Sequence, residues 1–293
     1  MKLAVLGTGL LGSEIARRLR ANGFEVAVWN RSPEKAAPLV ADGLMQADDP
    51  GTAIAGADCT LLLLSDAAAI RETLFSVATE PTLAGRTIVQ MGTIAPDESR
   101  AIARGVEQAG GAYLEAPVLG SLPEAREGRL IIMAGGDDAL YQRCLPLFEA
   151  LSESPQHVGK VGQGAALKLA MNQLIAGLTA SFAYSLGLVR GEGLEVEPFM
   201  ALLRRSALYA PTFDKKLANY LSHDYGGANF PLKHLQKDIS LFRRVAEGQD
   251  LDTAPLVALE AAFLRAMAAG LEDADYSAIY ETLAAGREPQ AQS

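Results

Sequence analysis

Apolar residues follow two different spacings along this chain, one in each half. Residues 2–6, KLAVL, form an unbroken apolar run, the pattern of a strand covered on both faces. GTGLLG follows at once, and behind it Ile15, Ala16 and Leu19 recur at helical spacing until Gly23 supplies a stop. FEVAVWN, 24–30, predicts a second strand and closes a βαβ unit. Further strands are predicted at CTLLLL (59–64), TIVQ (87–90), AYLEAP (112–117) and RLIIMAGG (129–136), with a helix over DALYQRCLPLFEAL (138–151). After Gly164 no strand pattern returns. Helices are predicted over 165–190, 195–206, 212–221, 231–247, 253–269 and 275–285, ahead of a polar, frayed tail from Gly286 to Ser293. The expected class is α/β, a dinucleotide-binding domain over 1–162 followed by an all-α domain over 163–293.

The first βαβ unit carries chemistry. A GxGxxG motif is weak alone, but here it sits between a strand and a helix, where each glycine has a task. Gly7 permits the tight turn, Gly9 lets the main chain reach a pyrophosphate, and Gly12 lets helix and strand pack closely. Thr8, Leu10 and Leu11 complete the loop, and the helix start offers free N–H groups to phosphates. At the end of the second strand, NAD binding usually requires a carboxylate for the ribose 2′-OH. This chain has Asn30, Arg31 and Ser32, a guanidinium with amide and hydroxyl neighbours, which suits the 2′-phosphate of NADP(H). Ser32 also reads as a helix N-cap before Pro33. Ligands of open parallel sheets lie beyond the carboxyl ends of the strands, so Ser65, Thr93 and the loop Pro117 to Ser121 are candidates to line the cleft.

The stretch GKVGQGAALKLAMN, 159–172, holds the lysine best placed for a reaction. Three glycines precede a helix expected from about Ala165, on which Lys168 and Asn172 fall one turn apart and face the same way. No charged residue follows from Leu169 to Val189, so the helix is expected to be buried, and a lysine on its first turns is either costly or useful. That run is long enough to span a bilayer. Its polar residues, among them Asn172, Gln173 and Thr179, and the lack of a clustered basic flank predict a buried helix of a soluble protein instead.

Bulk numbers narrow the partners. A chain of 293 residues, 49% hydrophobic and 21% charged, describes an ordinary globular protein of about two domains. A net charge of -9 without a basic cluster argues against nucleic acid. Cys59 and Cys144 read as reduced core residues of a cytoplasmic protein, and three scattered histidines give no legible metal site. Met1 leads directly into a strand, with no signal-peptide pattern.

The chain resembles the β-hydroxyacid dehydrogenase family, which includes 3-hydroxyisobutyrate dehydrogenases, tartronate semialdehyde reductases and glyoxylate/succinic semialdehyde reductases. The resemblance rests on GTGLLG from Gly7, EAPVLGS from Glu115 to Ser121, GKVGQGAALKLAMN, and KDISLF from Lys237. It implies a Rossmann first domain and a helical second domain that completes the cleft and the contacts of a homodimer or homotetramer. It implies Lys168 as proton donor with Asn172 beside it, and a substrate carboxylate held at Pro117 to Ser121 by backbone N–H groups and a hydroxyl. Leu119 stands where the family has serine, so Gly120, Ser121 and Thr93 are left to hold the acid. NFPLKHLQKD, 229–238, is most similar to the glyoxylate/succinic semialdehyde reductase branch, which implies Phe230 and Asp238 near substrate and Lys237 near cofactor. The implied reaction is NADPH-dependent reduction of a short aldehyde acid. Imine reductases share the architecture but generally lack the lysine at Lys168.

Overall fold

The structure, a computed structural model, describes residues 1–284. Its contacts divide the chain into two compact units, Met1–Leu169 and a second that begins at Ala170. The end of the helix predicted over 275–285 and the tail Gly286 to Ser293 lie outside the described residues.

In chain order the first unit runs β1 (Lys2–Leu6), α1 (Leu10–Ala21), β2 (Glu25–Trp29), α2 (Ala37–Ala41), β3 (Met45–Gln46), α3 (Pro50–Ala55), β4 (Cys59–Leu62) and α4 (Ala67–Leu74). It continues through β5 (Thr87–Gln90), α5 (Pro96–Gln108), β6 (Ala112–Glu115), β7 (Val118–Leu119), α6 (Leu122–Glu127), β8 (Ile131–Gly135), α7 (Asp138–Leu151) and β9 (Gln156–Gly159), then enters α8 (Gln163–Gly191). The sheet order is β3-β2-β1-β4-β5-β6-β8-β7, with β9 beside β8. The first six strands pair in parallel, and β8 lies antiparallel to β6 and β7. This is the doubly wound order of dinucleotide-binding sheets, with its switch point between β1 and β4.

Cover on both faces explains the unbroken apolar runs. Leu3 and Val5 pack with Ile15, Leu19 and Phe148, whereas Ala4 and Leu6 pack with Ile54, Ile70 and Ile102. Alternate residues of one strand thus enter two cores.

Three short strands, β3, β7 and β9, were not legible in the pattern. The consequence is largest at β7: the segment Pro117 to Ser121, read as a loop, contains a strand whose Val118 and Leu119 pair with Ile132 and Ile131. Two residues show no period, and their pairing is set by a partner across the sheet.

The second unit is helical. After α8 come α9 (Val196–Arg204), α10 (Pro211–Ser222), α11 (Leu232–Glu247), α12 (Ala254–Ala268) and α13 (Tyr280–Leu283). One core gathers Ala176, Leu232, Leu235, Ile239, Phe263 and Ile279, another Phe182, Leu186, Met200, Phe213 and Tyr220. A buried ion pair, Lys216 to Asp275 at 2.6 Å, ties α10 to the segment ahead of α13, and Ser277 donates to the same carboxylate. The expectation that α8 is buried on all sides is corrected. Ala176, Ala183 and Leu186 are inside, but Leu174, Tyr184 and Leu188 are 59%, 59% and 63% exposed. A charge-free sequence cannot tell a face covered within the chain from one left apolar and open.

Candidate active site

The glycine loop is built as a phosphate cradle. Gly7 has φ +104°, and a Cβ there would lie 2.4 Å from the Leu63 carbonyl oxygen, so only glycine fits. A Cβ on Gly12 would lie 2.0 Å from the Gly7 carbonyl oxygen, which is how closely α1 packs on the turn. At Gly9 a Cβ would meet nothing within 4 Å, so the backbone there faces open space. α1 starts at Leu10 with no acidic residue in its first turn, and the N–H groups there suit an anion. Thr8 Oγ1 is buried without a hydrogen-bond partner among the described residues. This loop therefore fits a dinucleotide pyrophosphate.

Asn30 stands at the end of β2, but both ends of its amide are engaged locally. Its Oδ1 accepts from Thr8 N–H at 3.1 Å and its Nδ2 donates to Ser32 O at 3.0 Å. Asn30 is thus a clasp between the glycine loop and the turn after β2. Arg31 beside it is exposed, and no hydrogen bond or ion pair to another described residue engages its guanidinium. Ser32 does precede Pro33, but only a single 3₁₀ turn follows and the hydroxyl makes no capping bond. Ser65, just after β4, is exposed and donates to Asp66, the N-cap of α4; Thr93 is half-buried after β5.

The expected carboxylate loop is changed in detail. Ser121 N–H is taken by Glu124 Oε2 at 2.7 Å, so that backbone donor is engaged. The Ser121 hydroxyl is buried and has no hydrogen-bond partner among the described residues. Gly120 is exposed at φ +129°, and Leu119 is half-buried at the end of β7. At this segment the hydroxyl, more than the backbone, is the donor left for a ligand.

Glu115, which sequence reasoning quoted only as part of a motif, organises the entry to α8. Its Oε1 accepts from Gly162, Gly164 and Ala165 N–H at 2.8, 2.7 and 3.1 Å. Its Oε2 accepts from Ser99 Oγ, which also lies 2.8 Å from Tyr113 OH. The carboxylate thus meets the positive end of α8 and three N–H groups that a helix start leaves orphaned. Burial pushes the Glu115 pKa up, against the opposing pull of these hydrogen bonds. Gly164 has no room for a side chain, since a Cβ would lie 2.4 Å from Met133 O and 3.1 Å from Glu115 Oε1. The available signal was a lone acid ending an apolar strand, ahead of a glycine-rich helix entry in need of an acceptor.

Six residues into α8, Lys168 is only 8% exposed, and Asn172 one turn later is 1% exposed. The Asn172 amide donates to Asp238 Oδ2 at 2.6 Å. Lys237 Nζ lies 2.9 Å from Asp238 Oδ1, close enough for an ion pair but without hydrogen-bond alignment. An ionised carboxylate only accepts, so Asp238 fixes which way the Asn172 amide is turned. Phe230 is half-buried and packs edge-on against Tyr276, with ring centroids 5.8 Å apart. Described unit by unit, the cofactor loop, Thr93, Ser121 and Lys168 belong to the first, while Asn172, Phe230, Lys237 and Asp238 belong to the second.

The sheet order and the glycine cradle define a dinucleotide-binding fold. The profile described as the NAD binding domain of 6-phosphogluconate dehydrogenase matches residues 2–162. That described as NAD-binding of NADP-dependent 3-hydroxyisobutyrate dehydrogenase matches 162–283. Glyoxylate/succinic semialdehyde reductase 1 of Arabidopsis thaliana is 32% identical over 98% of this chain and 100% of its own. The chloroplastic reductase 2 of that plant is 32% identical over 99% of this chain and 82% of its own. The structure of Mycobacterium tuberculosis 3-hydroxyisobutyrate dehydrogenase with L-serine superposes with a TM-score of 0.85, at 22% identity, over 96% of this chain and 98% of that one. The chain belongs to the β-hydroxyacid dehydrogenase family typified by 3-hydroxyisobutyrate dehydrogenase, and it is an oxidoreductase that uses a nicotinamide dinucleotide.

Proposed function

We propose that this protein reduces a small aldehyde acid, succinic semialdehyde or glyoxylate, to the hydroxy acid with NADPH, and that Lys168 is its general acid and base. One observation carries the reading: a lysine 8% exposed lies near the start of a helix with no other charged side chain before Arg190. Buried one turn from the Asn172 amide on the same helix face, its ammonium is placed to act on the same bound molecule. The bound dinucleotide supplies the hydride. Lys168 Nζ delivers a proton to the oxygen of the aldehyde as negative charge grows there, and takes it back in the reverse direction. Asn172, held by Asp238, orients the group it faces. Ser121 Oγ and Thr93 hold the carboxylate and so fix the position of the reacting carbon.

Arg31 supports NADPH over NADH, because an exposed guanidinium with no partner among the described residues suits a phosphate. The names of the two plant relatives support the substrate class. A second reading, 3-hydroxyisobutyrate or tartronate semialdehyde dehydrogenase or reductase of the same family, is supported by the profile that matches residues 162–283. The uncovered apolar face of α8 supports a homodimer or homotetramer, and two reduced cysteines support a cytoplasmic location. The test is a panel of glyoxylate, succinic semialdehyde, methylmalonate semialdehyde and tartronate semialdehyde with NADPH and NADH. Turnover of glyoxylate or succinic semialdehyde with NADPH, ahead of the other pairs, is expected. Equal reduction of butanal and succinic semialdehyde would overturn the carboxylate assignment.

A further inference from the structure

The chain has two cysteines, and the proposed reaction uses neither. Cys59 opens β4 and Cys144 lies in α7; they are 2% and 1% exposed and both are free thiols. The fold brings them together at the amino ends of the strands, away from the glycine loop at their carboxyl ends. Cys59 is in register with Thr87 of β5. Arg143, the residue before Cys144, donates to Thr87 Oγ1 at 3.1 Å. Both side chains belong to one buried core cluster. With Arg86, Arg143 and Asp58 they line a cavity of about 300 Å³. A purely apolar core pair would not be bordered by two guanidinium groups.

We propose that Cys144 and Cys59 form a peroxide-reactive dithiol, in which Cys144 is the attacking thiolate and Cys59 the resolving thiol. This cavity admits a small hydroperoxide. The Cys144 sulfur attacks the terminal peroxide oxygen; the S–O bond forms, the O–O bond breaks, and the leaving oxygen departs as an alcohol or water after taking a proton. The Cys59 sulfur then attacks the sulfenic sulfur; the S–S bond forms and water leaves with the Cys59 proton. Two thiols lose two electrons in all, and the hydroperoxide gains them.

The two cysteines are unequal in the sense this scheme requires. Neighbouring Cys59, with help from Arg143, lowers the Cys144 pKa against the effect of burial. Neighbouring Cys144 and burial raise that of Cys59. A thiolate beside a guanidinium is the reactive form.

The test treats the native full chain with hydrogen peroxide and reads free thiols after denaturation, with intact mass. Both thiols should disappear, the mass should fall by two hydrogen atoms without cross-linking of chains, and dithiothreitol should restore both. Cys59→Ser should stop at a dimedone-trappable sulfenic acid on Cys144, whereas Cys144→Ser should leave Cys59 unmodified. Arg143→Gln should slow oxidation by about tenfold. Native protein that keeps both thiols under peroxide sufficient to oxidise free cysteine would overturn the proposal. So would a Cys144→Ser chain whose Cys59 oxidises as fast as the parent pair.

Discussion

Asn172 Nδ2 lies 2.6 Å from Asp238 Oδ2, a buried amide turned by a buried carboxylate. The amide is the neighbour of Lys168 on α8, so a residue on α11 determines which of its atoms faces away from Asp238. Asn172→Asp replaces that donor with an oxygen and sets two buried carboxylates against each other. Activity near neutral pH should fall by about tenfold or more and recover in part as the pH is lowered and one carboxylate takes a proton. A pH profile of kcat for parent and variant checks this; a uniform loss without acid recovery would count against it.

General-acid help from one positioned group is worth about 10² to 10⁴ in rate. Lys168→Met keeps length and helix propensity but has no proton to give. It should fold, bind NADPH as before, and lose about a hundredfold or more in kcat. Single-turnover NADPH oxidation at saturating aldehyde measures it, and a variant within about threefold of the parent would sink the mechanism.

Glu115 separates stability from function. Burial raises its pKa above the ordinary 4.5, so the folded state binds that proton more tightly than the unfolded chain. Its stabilising effect is therefore complete below the ordinary value and is lost as pH rises through the raised one. Glu115→Gln imitates the protonated form. At neutral pH it should be at least as stable as the parent, with kcat lowered because the helix entry has lost its negative charge. Glu115→Ala leaves three N–H groups without their acceptor and should cost about 3 kcal/mol or more. Thermal unfolding beside steady-state kinetics distinguishes the two.

Arg31→Ala should narrow the preference for NADPH over NADH by about tenfold, through KM for NADPH with kcat little changed. Kinetics of parent and variant with both cofactors read it directly, and an unchanged ratio would remove Arg31 from the site.

Gly12→Ala forces a methyl to within 2.0 Å of the Gly7 carbonyl oxygen unless the turn moves. A shift there should cost about 1 to 3 kcal/mol of stability. Dinucleotide affinity should fall with it, as binding titrations and thermal melts will report.

What the sequence showed and hid follows from range. The glycine loop was legible because Gly12 answers to Gly7 in the same loop and Gly7 to Leu63 at the end of the adjoining strand. The long helix holding Lys168 was legible from its apolar run, and its start was misplaced by two residues, at Ala165 instead of Gln163. Glu115 was not read as an anchor because its first N–H partner lies 47 residues away. The Ser121 backbone donor was assigned to substrate because the competing carboxylate of Glu124 shows only once α6 has formed. The exposure of Leu174 and Leu188 depends on which neighbours arrive, and composition holds no record of that.

The Asn30 clasp gives cofactor drift a direction. The shortest route to an NAD-type ribose acceptor at this position is a single change, Asn30→Asp. That change would turn the donor facing the Ser32 carbonyl into a second acceptor and loosen the turn that Thr8 also leans on. Arg31 has no such ties. On the reading that NADPH is the present cofactor, a lineage of this protein can become indifferent to the 2′-phosphate in one step at Arg31. To come to prefer its absence, it must rebuild the glycine loop's support in the same move.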